Sequence, residues 1–123
     1  MTQLTLGKHQ EAFAVHAALL IQKAGELGMS VRIGEVLRTE EQQEIYVRTG
    51  KSRTRDSMHL KKCAIDLNLF IGERFATRDE IAALGKWWES LDVRNRWGGS
   101  WRGKIERGES TFVDAPHFER LVP

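Results

Sequence analysis

The sequence predicts an α+β fold in which helices are laid on a mainly antiparallel sheet. Three observations carry this reading. Between Lys8 and Leu27, Phe13, Ala17, Leu20, Ala24 and Leu27 recur at spacings of three and four, the single apolar stripe of a helix. Between Cys63 and Phe70, Ile65, Leu67 and Leu69 alternate with Ala64, Asp66, Asn68 and Phe70, the period of a half-buried strand. Helix-opening pairs at Thr39 with Gln42 and Thr77 with Glu80 set two further helices among the strand-like segments.

In chain order, the first helix runs from Lys8 to Leu27 and Gly28 stops it. Its two histidines, His9 and His16, stand among polar neighbours and read as surface residues. Ser30 to Leu37 is β-branched and partly alternating, a strand that ends before Arg38. A short helix opens at Thr39 and closes by Gly50. The strand Cys63–Phe70 holds Asp66 at its middle, facing away from the aliphatic side. From Thr77 an amphipathic helix carries Ile81, Leu84, Trp88 and Leu91. A turn over Trp97-Gly98-Gly99-Ser100-Trp101 follows, then a strand around Thr111 to Val113 leading into Asp114-Ala115-Pro116-His117-Phe118-Glu119. Helical spacing puts Trp88 in the core, while Trp97 and Trp101 fit a core or a substrate groove equally well. No repeat, linker or low-complexity tract interrupts this order, so residues 1–123 read as one domain.

Composition narrows the function classes. With 19 basic and 17 acidic residues the net charge is +2, too weak and too evenly mixed to argue for nucleic acid. A local basic run, Lys51 to Arg55 with Lys61 and Lys62 behind it, is either a solvated loop or an attraction for an acidic substrate. Cys63 is the only cysteine, which excludes an internal disulfide and fits synthesis in a reducing cytoplasm. The N-terminus lacks the charge, apolar stretch and cleavage site of a secretory signal, and the longest apolar run, Ala17 to Ile21, is too short for a membrane span.

The remaining two histidines differ from the first pair. His59 precedes the mid-strand Asp66 by seven residues, and His117 follows Asp114 by three. Two imidazoles and a carboxylate form a sensible set for a catalytic zinc, because three protein ligands leave a fourth position for water. Asp114 is near enough in sequence to serve as the base that takes the water's proton. Taken singly, each has a plainer reading: a hydrogen-bonded structural histidine, a satisfied strand carboxylate, a turn aspartate.

Three segments shift that balance. Ser57-Met58-His59-Leu60-Lys61-Lys62-Cys63-Ala64-Ile65-Asp66 resembles the Ser-x-His-x-x-Gly-x-Ala-x-Asp motif of the D-alanyl-D-alanine carboxypeptidase family, which includes phage L-alanyl-D-glutamate endopeptidases. Asp114-x-x-His117-Phe118-Glu119 resembles the family's second motif, and Leu37-Arg38-Thr39-Glu40-Glu41-Gln42 with Tyr46 and Gly50 is similar to a third element. Together they cover residues 37 to 119 in the family's order. Lys62 departs from the pattern where the family has glycine, and Asp114 stands where the carboxypeptidase branch generally carries glutamate, which favours the endopeptidase branch.

The resemblance implies the fold shared with the Hedgehog signalling domain and one zinc ion (Zn2+) held by His59, Asp66 and His117. It implies Asp114 as catalytic acid/base, with Glu119 the next candidate, Arg38 binding and polarising the substrate carbonyl, and Ser57 hydrogen-bonding the substrate. The expected substrate is a peptidoglycan stem peptide and the expected protein a monomeric phage or prophage endolysin, made in the cytoplasm and released to the cell wall by a separate holin-like protein. The rival within the enzyme class is a D,D-carboxypeptidase trimming terminal D-alanine. The rival from another class is a non-catalytic wall-binding domain, which would need no acid/base beside an open metal position.

Overall fold

The computed structural model describes residues 3–52, 56–101 and 114–123. Among the described residues, three helices and five strands run α1 (Leu6–Glu26), β1 (Ser30–Ile33), α2 (Glu40–Arg48), β2 (Ala64–Ile71), β3 (Arg74–Phe75), α3 (Arg78–Leu91), β4 (Asn95–Trp97) and β5 (His117–Arg120). Short 3-10 turns occupy Met58–Lys61 and Gly98–Trp101. The strands form one antiparallel sheet in the order β1-β2-β5-β4, with β3 paired to the distal end of β2. The α+β architecture is thus the one the periodicities predict. The expected strand at Thr111 to Val113 lies outside the described residues, as does the side chain of Trp101.

Each helix begins where its capping chemistry requires. The hydroxyls of Thr5, Thr39 and Thr77 accept from the backbone three residues on, and Thr77 with Glu80 makes the full reciprocal box. At the end of α1, Gly28 N–H returns to Gly25 O and Met29 N–H to Ala24 O, satisfying carbonyls the helix would otherwise leave open.

The stripe Phe13, Ala17, Leu20 and Ala24 packs with Leu84 and Trp88 of α3 over Ile65, Leu67, Leu69 and Phe118 of the sheet. Trp88 is fully buried, meets Phe13 and Phe118 edge-on at 5.8 and 6.1 Å, and its Nε1 donates to the carbonyls of Arg96 and Glu119 at 3.1 Å. Trp97 is also a core residue. Its ring lies against Gly85 and Gly99, and its Nε1 donates to Ala115 O at 2.8 Å, tying the turn before β5 to the core.

His9 corrects the surface reading. It is 3% exposed beneath β5, where its Nδ1 accepts from Arg120 Nε at 3.2 Å. Arg120 in turn donates to Asp92 at 3.0 Å, so two buried polar groups share one partner chain. Spaced four residues before Phe13, His9 continues the apolar stripe rather than the polar side of α1.

β1 stops at Ile33, four residues earlier than expected. Gly34 N–H donates to Asp66 O at 2.7 Å while Asp66 N–H donates to Glu35 O at 2.9 Å, so two residues face one and the ladder bulges. Gly34 is required there because a Cβ would meet Asp66 O at 2.9 Å.

Candidate functional site

The bulge bends the chain after β1 toward the start of β2, and three segments then meet around Asp66. His59 comes from the 3-10 turn Met58–Lys61, which Ser57 caps by accepting His59 N–H at 3.2 Å. His59 Nδ1 lies 2.9 Å from Val36 O. A carbonyl only accepts, so Nδ1 carries a proton, and Nε2 is the nitrogen turned inward toward Asp66. Asp66 and His117 are cross-strand partners on β2 and β5, which sets their side chains on one face.

Asp66 Oδ1 lies 3.2 Å from His59 Nε2 and 3.2 Å from His117 Nδ1, and the two imidazoles are 5.1 Å apart between ring centres. Ligand atoms of all three residues fall within 4.8 Å of one another, and no other described group of histidine, cysteine and acidic side chains is so gathered. The histidines are almost wholly buried, whereas the Asp66 side chain is 27% exposed, so the cluster opens to solvent over its carboxylate.

The far nitrogen of His117, Nε2, meets the Glu119 carboxylate at 2.5 Å. Residues two apart on a strand share a face, and that periodicity is the signal by which this partner could have been read once β5 was recognised. Burial by itself would depress the His117 imidazolium, but the hydrogen bonds its ring donates to Asp66 and Glu119 overcome it and push its pKa up to about 9. Burial would likewise raise the Asp66 carboxyl, yet the hydrogen bonds from His117 and His59 hold it well below the usual carboxylate range.

Asp114 sits at the turn before β5, its backbone N–H donating to Gly98 O at 3.2 Å and its carbonyl accepting His117 N–H at 3.1 Å. The approach needs Gly98, since a Cβ there would meet Asp114 O at 2.1 Å. Burial raises the Asp114 carboxyl above its ordinary value; the His117 charge opposes this and the Asp66 charge adds to it. The electrostatic reach of His117, Asp66, His59 and Arg38 marks Asp114 as part of the same neighbourhood.

Arg38 is not a surface cation. Its side chain is 10% exposed and ion-paired with Glu35 through Nε and Nη2. Nη1 donates to Gln43 Oε1 at 2.7 Å and reaches Ser57 Oγ at 3.4 Å. Tyr46 lies against the guanidinium at 4.7 Å and donates its hydroxyl to Glu35 at 3.3 Å. Gln43, 2% exposed, passes the network on by donating to Ser52 Oγ at 3.0 Å. Glu35 and Gln43 are partners that charge and spacing alone did not single out.

Lys62 occupies the expected glycine position and adopts the left-handed conformation glycine would take, with φ 56° and ψ 34°. The loop between the first two cluster residues therefore keeps its path despite the substitution. In the basic run, Lys51 lies 4.7 Å from the Tyr46 ring, Lys61 bonds to Pro123 O at 2.9 Å, and residues 53–55 are outside those described.

No family model matches the chain. An L-alanyl-D-glutamate peptidase of a Listeria phage is 33% identical over 94 residues, covering 75% of this chain and 31% of the relative. The chain thus spans about a third of that protein's length. The crystal structure of the Serratia marcescens L-Ala D-Glu endopeptidase ChiX is similar with a TM-score of 0.61 and 25% identity, over 83% of this chain and 75% of that one. By sequence and by fold the chain is a homologue of these two L-alanyl-D-glutamate peptidases, the branch that its motifs resemble.

Proposed function

We propose that the chain is a zinc-dependent peptidase that hydrolyses the L-alanyl-D-glutamate amide of peptidoglycan stem peptides. The observation that carries this reading is the His59, Asp66, His117 cluster in a homologue of L-alanyl-D-glutamate peptidases. Two edges of the donor set match the ion, since ligand atoms about 2.0–2.1 Å from a tetrahedral zinc lie about 3.3 Å from one another. The two nitrogen-to-oxygen separations at Asp66 are 3.2 Å. The outer ring nitrogens of both histidines are already engaged, by Val36 O and Glu119, which fixes their orientation. Zinc bound there would supply electrophilic activation of water and of the scissile carbonyl near neutral pH.

The chain's own residues would do the rest. Asp114, with its carboxyl raised by burial, takes the proton of the attacking water and returns it to the leaving amine. Arg38, its charge balanced by Glu35, acts as a donor of fixed direction toward the substrate carbonyl. Ser57 already accepts from His59 N–H, which leaves its hydroxyl proton for the substrate.

A phage or prophage endolysin, monomeric and freed to the wall by a holin-like protein, is the biological setting in keeping with the phage relative. No described helix is long and apolar enough to cross a membrane.

Two variants test the division of labour. Asp114→Asn is expected to keep one zinc and lose about a hundredfold to ten-thousandfold in turnover. His117→Ala is expected to lose zinc and activity together. Near-normal turnover in Asp114→Asn would reduce Asp114 to a turn residue, and loss of zinc in that variant would make it a ligand.

A further inference from the structure

The face of β2 that carries Asp66 continues past it as Asn68 and Phe70. Cross-strand register sets Arg32 of β1 opposite Asn68 and Phe75 of β3 opposite Phe70, so all four side chains share the face of the candidate metal cluster. Phe70, though only 8% exposed, is not part of the hydrophobic core between sheet and helices. Its cover comes from above: the Phe75 ring lies 4.5 Å away, tilted by 30°, and the Arg32 guanidinium sits 4.2 Å over it. Phe75 itself is 65% exposed. The result is a small aromatic platform across β2 and β3, with a cation from the edge strand β1 fixed on it, continuous with the site.

Arg32 also differs from the other arginines of this region. Arg38 and Arg74 are neutralised by Glu35 and Glu80. Arg32 is exposed and pairs with no carboxylate among the described residues, and the Asn68 amide beside it makes no side-chain hydrogen bond among them. A stacked guanidinium and a neighbouring amide, both with donors to spare, suit a carboxylate.

We propose that Arg32, seated on Phe70 and Phe75 and flanked by Asn68, is a subsite for a substrate carboxylate carried by the residue that follows D-glutamate in the stem peptide. The inference rests on the stem-peptide reading of the site. Strand geometry places the platform roughly 7 to 13 Å along the sheet from Asp66, the reach of two to four extended residues from the scissile bond. Stem peptides differ at that position: a diamino acid there either bears a free carboxylate, as in meso-diaminopimelate, or lacks one, as in lysine. The enzyme would accordingly prefer the first kind.

The test uses two synthetic peptides, L-alanyl-D-γ-glutamyl-meso-diaminopimelate and its L-lysine counterpart, with wild-type protein and Arg32→Gln. Wild type is expected to favour the diaminopimelate peptide about five- to tenfold in kcat/KM, through KM, as suits one partly exposed charge-assisted contact. Arg32→Gln is expected to erase that preference and to leave the lysine peptide unchanged, which a merely structural arginine would not do. Equal cleavage of both peptides by wild type would overturn the subsite while leaving the peptidase reading intact. So would an Arg32→Gln loss that falls equally on both. Cleavage of neither peptide by zinc-loaded wild type would overturn the subsite together with the reading beneath it.

Discussion

His117 has a carboxylate on each side, Asp66 at Nδ1 and Glu119 at Nε2, and these acceptors push its pKa up to about 9 against the effect of burial. Below that pH the metal-free ring is an imidazolium, and a metal approaching Nδ1 has to displace a proton. Apparent zinc affinity should therefore rise about tenfold per pH unit between about pH 6 and 8, and level off near the raised pKa. Competition titrations with a chromophoric chelator would measure the slope. Glu119→Gln, which removes one acceptor charge, should move the break to lower pH. An affinity indifferent to pH would mean that the ring is already neutral. The cluster residues were legible in sequence because the motif resemblance joins segments that spacing alone leaves separate. Glu119, the alternative acid/base, is hydrogen-bonded to His117, a contact legible only once both are placed on one strand face. His9 was misread from its polar neighbours, although its four-residue spacing from Phe13 already placed it on the buried stripe.

Among the elements, the helices were the easiest to read, because their caps and stripes are local. The strands were harder. β1 reads as longer than it is because the strand-like residue pattern continues through Leu37 while the chain leaves the regular ladder at the bulge opposite Asp66. β3 and β4 span only Arg74–Phe75 and Asn95–Trp97, too short to show a period, and they exist through their pairing partners. The turn between His59 and Asp66 carries backbone strain. Lys62 is the only described non-glycine residue with positive φ, a conformation that costs an L-residue about 1–2 kcal/mol. Glycine would relieve that cost and give back part of it, about 0.4–1 kcal/mol, through greater freedom of the unfolded chain. Lys62→Gly is thus expected to stabilise the fold by up to about 1 kcal/mol, read as a higher denaturant midpoint at unchanged slope, with zinc binding unaltered. A lower midpoint would show that the Lys62 side chain makes a contribution that outweighs its backbone strain.

At the level of the whole molecule, the sheet divides the labour between its faces. Ile65, Leu67, Leu69 and Phe118 point into the helices and hold the domain together. The strand period sends Asp66, Asn68, His117 and Glu119 to the opposite side, where they meet the turn carrying His59. Alternation in β2 made this division legible from sequence. The meeting of β2 with β5 was not, because it joins residues 51 positions apart and no local pattern encodes that pairing. The proposed function requires that this one face bind a single zinc and use it on the L-alanyl-D-glutamate bond. Its most direct test is to digest purified peptidoglycan with zinc-depleted protein, before and after restoring one equivalent of zinc, and to identify the new chain ends. The expected result is new N-terminal D-glutamate only after zinc is restored. Release of free D-alanine instead, or equal cleavage with the metal stripped away, would contradict the account.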